Sequence, residues 1–159
     1  MSQSKARTPI LVSACLLGIA CRYDGRAKPN SAVSEHLARH DLLAIPVCPE
    51  QLGGLPTPRE PTRFSRGDGQ DILTGHGEVV THSGKPLTEP FRKGAEQTLL
   101  IARLCGCQSA LLKERSPSCG VNQIDCDGHI VAGIGVASAR LKAEGLQVFS
   151  EEDLPRGEE

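Results

Sequence analysis

Pro9-Ile10-Leu11-Val12-Ser13-Ala14-Cys15 is the stretch whose reading decides the fold. Residues 10–13 form a short apolar run with no polar–apolar alternation, which suits a strand covered on both faces, as in a parallel sheet. Three further runs have the same character: Leu42–Val47, Ser109–Leu112 and residues 146–149. Helical patterns separate them. Asn30 or Ser31 can cap a helix running to about Arg39. Thr88 is expected to cap a second, with Pro90 tolerated in its first turn. The apolar face of that helix is Phe91, Ala95, Leu99 and Ala102, at helical spacing. A third helix from about Val136 to Glu144 should stop at Gly145, taken as a left-handed residue just past its end. Strands alternating with helices predict an α/β fold, a parallel Rossmann-like sheet of about four strands with flanking helices.

Residues 49–86 break this rhythm. They carry Gly53-Gly54, Pro56, Pro58, Pro61 and Gly67-Asp68-Gly69, and are expected to form a long irregular insertion with a small hairpin around residues 78–85. Such segments tend to carry function. The 159 residues suit one domain, with its core at residues 9–154 and a solvated tail at residues 155–159.

Composition narrows the function. Aromatic residues are 3% of the chain, with no Trp, which argues against base-stacking nucleic-acid platforms. The net charge is −1 and no Lys/Arg run stands out, so the basic footprint of a phosphate-backbone binder is missing. A small-molecule substrate is expected, with no nucleic acid. No secretory or spanning segment is visible, so a cytoplasmic protein without a membrane partner is expected. Seven cysteines in a reducing compartment are read as metal-binding, catalytic or buried, not as disulfides.

Three cysteines follow three predicted strands: Cys15 the first, Cys48 the second and Cys119 the third, after a loop. In an open parallel sheet, ligand sites lie beyond the carboxyl ends of the strands, so these three should meet at one edge. Thiolates select zinc, copper(I) or iron–sulfur clusters. No Cys-x-x-Cys knuckle of the structural-zinc type is present, and three separated cysteines suit a cluster that keeps one iron open. Cys21 is a reserve ligand. Cys105 and Cys107 are expected to pack at a helix end, and Cys126 falls in a polar turn. Glu50, two residues past Cys48, is a candidate general acid/base. Ser116 and Ser118 precede Cys119 and either form turn hydrogen bonds or hold substrate. Arg22, Asp24, Arg59 and Lys113 are further polar candidates, and His36 and His40 stand four apart on a helix without other ligand spacing.

Three ordered motifs then become recognisable: Val12-Ser-Ala-Cys-Leu-Leu-Gly18 with Cys21-Arg-Tyr-Asp-Gly25, Cys48-Pro-Glu50 with Gly53-Gly-Leu-Pro-Thr-Pro-Arg59, and Leu112-Lys-Glu-Arg-Ser-Pro-Ser-Cys-Gly120. Together they resemble the thiouracil desulfidases, a short bacterial family first known as a domain of unknown function. The resemblance runs from about Pro9 to Leu154. It implies a [4Fe-4S] cluster held by Cys15, Cys48 and Cys119, with a fourth iron free to take the sulfur of a thiolated base. It also implies Glu50 and Ser116 in proton handling and water attack, with Ser118 the less favoured serine and a substrate contact. The implied reaction is non-redox desulfuration of 2- or 4-thiouracil to uracil. Two other readings stay open: a non-catalytic cluster- or zinc-binding sensor or structural module, and a metal-free enzyme with Cys119 as nucleophile. The last lacks a histidine near Cys119 to lower its pKa.

Overall fold

The computed structural model describes residues 6–155. Four strands, β1 (Thr8–Ser13), β2 (Leu42–Val47), β5 (Ser109–Leu112) and β8 (Gln147–Ser150), form one sheet in the order β2-β1-β5-β8. Every neighbouring pair in it is parallel. The missing alternation in β1 has the expected cause. Leu11 points into a core with Leu99, Ala102, Ala110 and Leu141, while Ile10 and Val12 point into a second core with Val33 and Leu111. Both faces are dry, so neither can be polar.

Helices cover this sheet. In α1 (Ser31–Arg39) the Asn30 side chain accepts from the Ala32 N–H, as an N-cap does. In α5 (Val136–Ala143) the helix ends at Glu144, and Gly145 follows with φ 92°. The long helix α4 (Thr88–Cys105) buries Phe91, Ala95, Leu99 and Ala102 as the sequence predicts. Its cap differs. Leu87 holds the N-cap position without a side-chain hydrogen bond, and the Thr88 hydroxyl instead accepts from the Val79 N–H. Thr88 is drawn off its own helix because the neighbouring strand offers it a buried donor.

Residues 49–86 are more ordered than expected. They hold α2 (Pro49–Leu52), β3 (Thr62–Arg66), α3 (Gly69–Leu73) and β4 (Glu78–Thr81). With β6 (Gln123–Cys126) and β7 (His129–Ala132) these strands make a second sheet, in the order β4-β3-β6-β7. Its core is Phe64, Ile72, Val79, Phe91 and Ile124. The strand partner of β4 is β3, antiparallel, and the expected small hairpin at residues 78–85 forms as a tight turn-back closed by the Thr81 N–H on the Lys85 carbonyl and a bridge from Val80 to Pro86. The turn around Cys126 is a true hairpin: Asp127 and Gly128 have φ 55° and 85°, the double left-handed turn that Asp-Gly favours. Of the tail, residues 156–159 lie outside the described residues.

One contact fixes α2 against the rest. An ideal Cβ on Gly94, in α4, would lie 2.0 Å from the Pro49 carbonyl oxygen, and one on Gly53 would lie 2.1 Å from the Pro90 carbonyl oxygen. Two backbones therefore touch where no side chain fits. In Gly94→Ala, helix propensity would add about 1 kcal/mol of stability, while overpacking against backbone costs about 1–3 kcal/mol. The second effect should win. Chemical denaturation should find the variant less stable than the parent, and a more stable variant would show that α2 yields freely.

Candidate active site

The parallel register sets the site. Ser13 pairs with Val47, and Val12 with Leu111, so β2, β1 and β5 end side by side. After Ser13 the chain makes a single 3-10 turn, Ala14–Leu17, that carries Cys15. Directly after β2 comes Cys48, the N-cap residue of α2, and Glu50 follows in that helix's first turn. Beyond β5, the loop to Cys119 is tied back to β1, because the Lys113 N–H donates to the Ser13 hydroxyl at 2.8 Å.

A cavity of about 400 Å³ opens at this edge, lined by Cys15, Cys21, Cys48, Cys119, Glu50 and Arg59 among others. The three cysteines expected to meet do line one space, and Cys21 joins them. Cys15, Cys21 and Cys119 are buried, and Cys48 is half-buried. Cys105 is exposed near the end of α4, Cys107 is buried ahead of β5, and Cys126 lies on β6; none of the three lines the cavity. His36 and His40 lie tilted against each other, 4.6 Å between ring centroids, with Phe149 against His36, and neither lines the cavity.

The Cys48 and Cys119 thiols are held protonated by their surroundings. Burial pushes the Cys119 thiol up to about 12, against hydroxyl groups of Ser13 and Ser118 that favour its thiolate. Hydrogen bonding with Cys21 raises Cys48, and burial raises it further. A soft cation would supply the positive charge that lets such thiols ionise. Among the described residues, no three Cys, His, Asp or Glu side chains converge as the ligands of one ion would. Thiols spread around a cavity instead fit the separate corners of a cluster.

Glu50 is clamped. Its Oε1 receives Arg59 Nε at 3.0 Å, and its Oε2 receives the Ser118 hydroxyl at 3.0 Å. The Arg59 and Glu50 side chains are 7% and 12% exposed. Arg59 is itself anchored, donating to the carbonyls of Pro56 and Cys21 and to the Thr57 hydroxyl. Ser118 thus reaches Glu50 directly, whereas Ser116 stands behind it, 3.0 Å from the Ser118 oxygen. Ser118 gives its proton to Glu50, so Ser116 must donate to Ser118. The Ser116 oxygen meanwhile accepts from the Ser118 and Cys119 N–H groups.

Of the other polar candidates, Arg22 lines the cavity. Lys113 lines it too but is tied to Glu151 at 3.1 Å, which leaves it a strut. Asp24 does not line the cavity; it accepts from the Arg26 N–H within its own turn. The sequence reading gave no role to Glu114. This residue is 2% exposed and accepts from the N–H groups of Val121, Asn122 and Gln123 and from the Asn122 amide. It is the template on which the chain folds back past Cys119. No local motif announces it, since its partners follow it by seven to nine residues.

A sequence model of the 2-thiouracil desulfurase family matches residues 10–153. The chain belongs to that family. Among relatives of this family member, a Bacillus subtilis (strain 168) protein, YbbK, described as uncharacterized, is 43% identical over 150 residues, covering 91% of this chain and 97% of its own. A solved structure, the [4Fe-4S]-dependent thiouracil desulfidase TudS, superposes with a TM-score of 0.76 at 42% identity, covering 94% of each chain.

Glu114 also sets an acid limit. Burial alone would raise its pKa, but the hydrogen bonds from Asn122, Gln123 and Val121 outweigh burial and hold it at about 2. A carboxylate depressed in the folded state stabilises above its unfolded value and loses that contribution as pH falls toward its folded value. Urea midpoints of the parent should therefore drop between about pH 4.5 and pH 2. Glu114→Gln should start lower at neutral pH and fall less over that range. An equal acid slope in both proteins would remove Glu114 from this role.

Proposed function

We infer that this chain is a [4Fe-4S]-dependent thiouracil desulfidase in which Cys15, Cys48 and Cys119 hold the cluster, Glu50 is the general acid/base, and Ser118 and Ser116 form its proton relay. The observation that carries the reading is the clamped Glu50 opening onto the same cavity as the three thiols. It stands within a fold shared with a solved thiouracil desulfidase. The donor set fits the group: three soft sulfurs at three strand ends, with no fourth side chain demanded of them.

When bound, a cluster held by three thiolates supplies a Lewis-acidic iron with an open position for a soft thiocarbonyl sulfur. The chain's own residues do the rest. Glu50 Oε2 takes a proton from water as the oxygen bonds to the ring carbon. Arg59 holds the other carboxylate oxygen, so Glu50 cannot rotate away. As Oε2 gains a proton it donates to the Ser118 hydroxyl, Ser118 passes its own proton on to the leaving sulfur, and Ser116 keeps donating to Ser118 throughout. The balance is a thiocarbonyl plus water giving a carbonyl plus hydrogen sulfide, a carbon–sulfur hydrolysis with no change of oxidation state.

The remaining parts of the reading follow. Seven free thiols support a reducing, cytoplasmic setting, and an exposed open iron would make the loaded enzyme oxygen-sensitive. Among the described residues no helix is long and apolar enough to cross a membrane. The low aromatic content favours a small thiolated base over a polynucleotide. One folded domain over residues 9–154 is the simplest organisation, since α4 and α5 pack against both sheets.

Two experiments test this reading. Anaerobic reconstitution should give brown protein with about four irons per chain. Cys→Ser at Cys15, Cys48 or Cys119 should each abolish stable incorporation, and the same change at Cys105 or Cys126 should not. A colourless zinc protein would sink the cluster assignment. Separately, Glu50→Gln should keep its cluster spectrum and lose about 10²–10⁴-fold in turnover of thiouracil to uracil. Ser118→Ala should show a similar or smaller loss. Full activity in Glu50→Gln would move the base elsewhere.

A further inference from the structure

Tyr23 belongs to the Cys21-Arg-Tyr-Asp-Gly25 motif, which the proposed chemistry leaves unused. It is the chain's one tyrosine, beside three phenylalanines and no tryptophan. The phenylalanines are committed elsewhere: Phe64 and Phe91 fill the core of the second sheet, and Phe149 lies against His36. Among the described residues Tyr23 is the one aromatic side chain at the cavity, and it is 40% exposed. Ile130, 52% exposed on β7, lines the same cavity. Apolar surface left in water at a cavity wall is surface that a bound apolar face would cover favourably.

The ring is carried by a braced turn. The Arg22 N–H donates to the Arg26 carbonyl at 3.1 Å, the Gly25 N–H to the Arg22 carbonyl at 2.8 Å, and the Arg26 N–H to Asp24 Oδ1 at 3.0 Å. Gly25 sits in this turn with φ 76°, which glycine adopts without strain. The Tyr23 carbonyl accepts from the Arg59 N–H at 2.8 Å. The residue whose side chain clamps Glu50 therefore also ties down the backbone of Tyr23, so ring and carboxylate share one frame. The Arg22 guanidinium lies over the ring, 5.8 Å from its centroid, and can serve only one of its two faces.

A thiolated pyrimidine presents two kinds of surface. Its edge carries polar atoms, which suit Glu50 and Ser118. Its flat faces are polarisable and poorly hydrated, and need an aromatic partner. We propose that Tyr23 is the specificity residue that stacks on the face of the base, with Ile130 completing the apolar wall. The site then selects planar heteroaromatic thiones over non-aromatic thiocarbonyls, and one ring provides for one base. This rests on the desulfidase reading above.

The test uses the anaerobically loaded full chain, its Tyr23→Phe variant, and Tyr23→Ala and Tyr23→Leu, the last keeping apolar bulk without a π face. Iron content and circular dichroism confirm that each variant is loaded and folded. KM for 2-thiouracil should rise about 5–100-fold in Tyr23→Ala and Tyr23→Leu, the range for one lost base–aromatic stack, with kcat held as expected for uniform binding. Tyr23→Phe should recover most of the affinity. The parent should prefer 2-thiouracil over its 5,6-dihydro analogue, which keeps the sulfur but has a puckered ring, and this preference should shrink in Tyr23→Leu. A second readout needs no turnover. Without tryptophan, the tyrosine emission of the chain comes from Tyr23 alone. Uracil, which has the ring and lacks the sulfur, should quench it saturably, with Tyr23→Ala as the blank. A loaded parent that leaves thiouracil intact refutes the reading above, and the emission titration still decides the stack. An unchanged KM in Tyr23→Leu, a Tyr23→Phe variant as weak as Tyr23→Ala, or emission that uracil does not alter would each overturn the proposal.

Discussion

The parallel ladder of β2, β1 and β5 is the constraint on which the site depends. Parallel neighbours end at the same edge, so residues tens of positions apart leave the sheet together. Ser13 beside Val47 brings Cys15 and Cys48 to one opening. The third strand delivers its cysteine less directly, through a loop of six residues tied to Ser13 at its start and shaped around Glu114 further on. An antiparallel arrangement of the same strands would have sent at least one cysteine to the opposite end.

Charge at this edge is concentrated in one buried pair. Arg59 and Glu50 form a nearly dry ion pair. Such pairs recover their desolvation cost only with close geometry, and losing one partner typically costs about 3–5 kcal/mol. Arg59 has three further acceptors in its reach, which is the geometry that makes the pair tolerable. The result is a carboxylate with fixed orientation facing a cavity of thiols. Preorganisation of this kind removes reorganisation from the chemical step.

The second sheet gives the insertion a purpose. It builds a separate core on α3, α4 and α5, and the chain between α2 and β3 becomes the strap that carries Arg59. The close backbone contact at Gly94 presses α2, and with it Glu50, against the longest helix. Packing against α4 thereby sets the position of the Glu50 carboxylate.

The sequence by itself determined the first sheet, because a strand buried on both faces must be apolar throughout and β1 shows that directly. It also determined the meeting of Cys15, Cys48 and Cys119, because strand ends of a parallel sheet share an edge. It also picked out Glu50 beside Cys48 and Ser116 and Ser118 beside Cys119, and the family motifs added the expected division of roles among them. Tertiary structure decided what had no local signal. The second sheet joins β3 to β6 across some sixty residues, with one parallel register pair at Phe64 and Cys126, and short strands with partners that distant leave little pattern in either segment. Thr88 reads as a cap until Val79 competes for its hydroxyl. Whether Ser116 or Ser118 touches Glu50 depends on which way a tight turn faces, and Glu114 acquires its role only when Val121, Asn122 and Gln123 fold back onto it. Local patterning reports burial and backbone preference; the pairing of polar groups distant in sequence is fixed only when the chain closes around them.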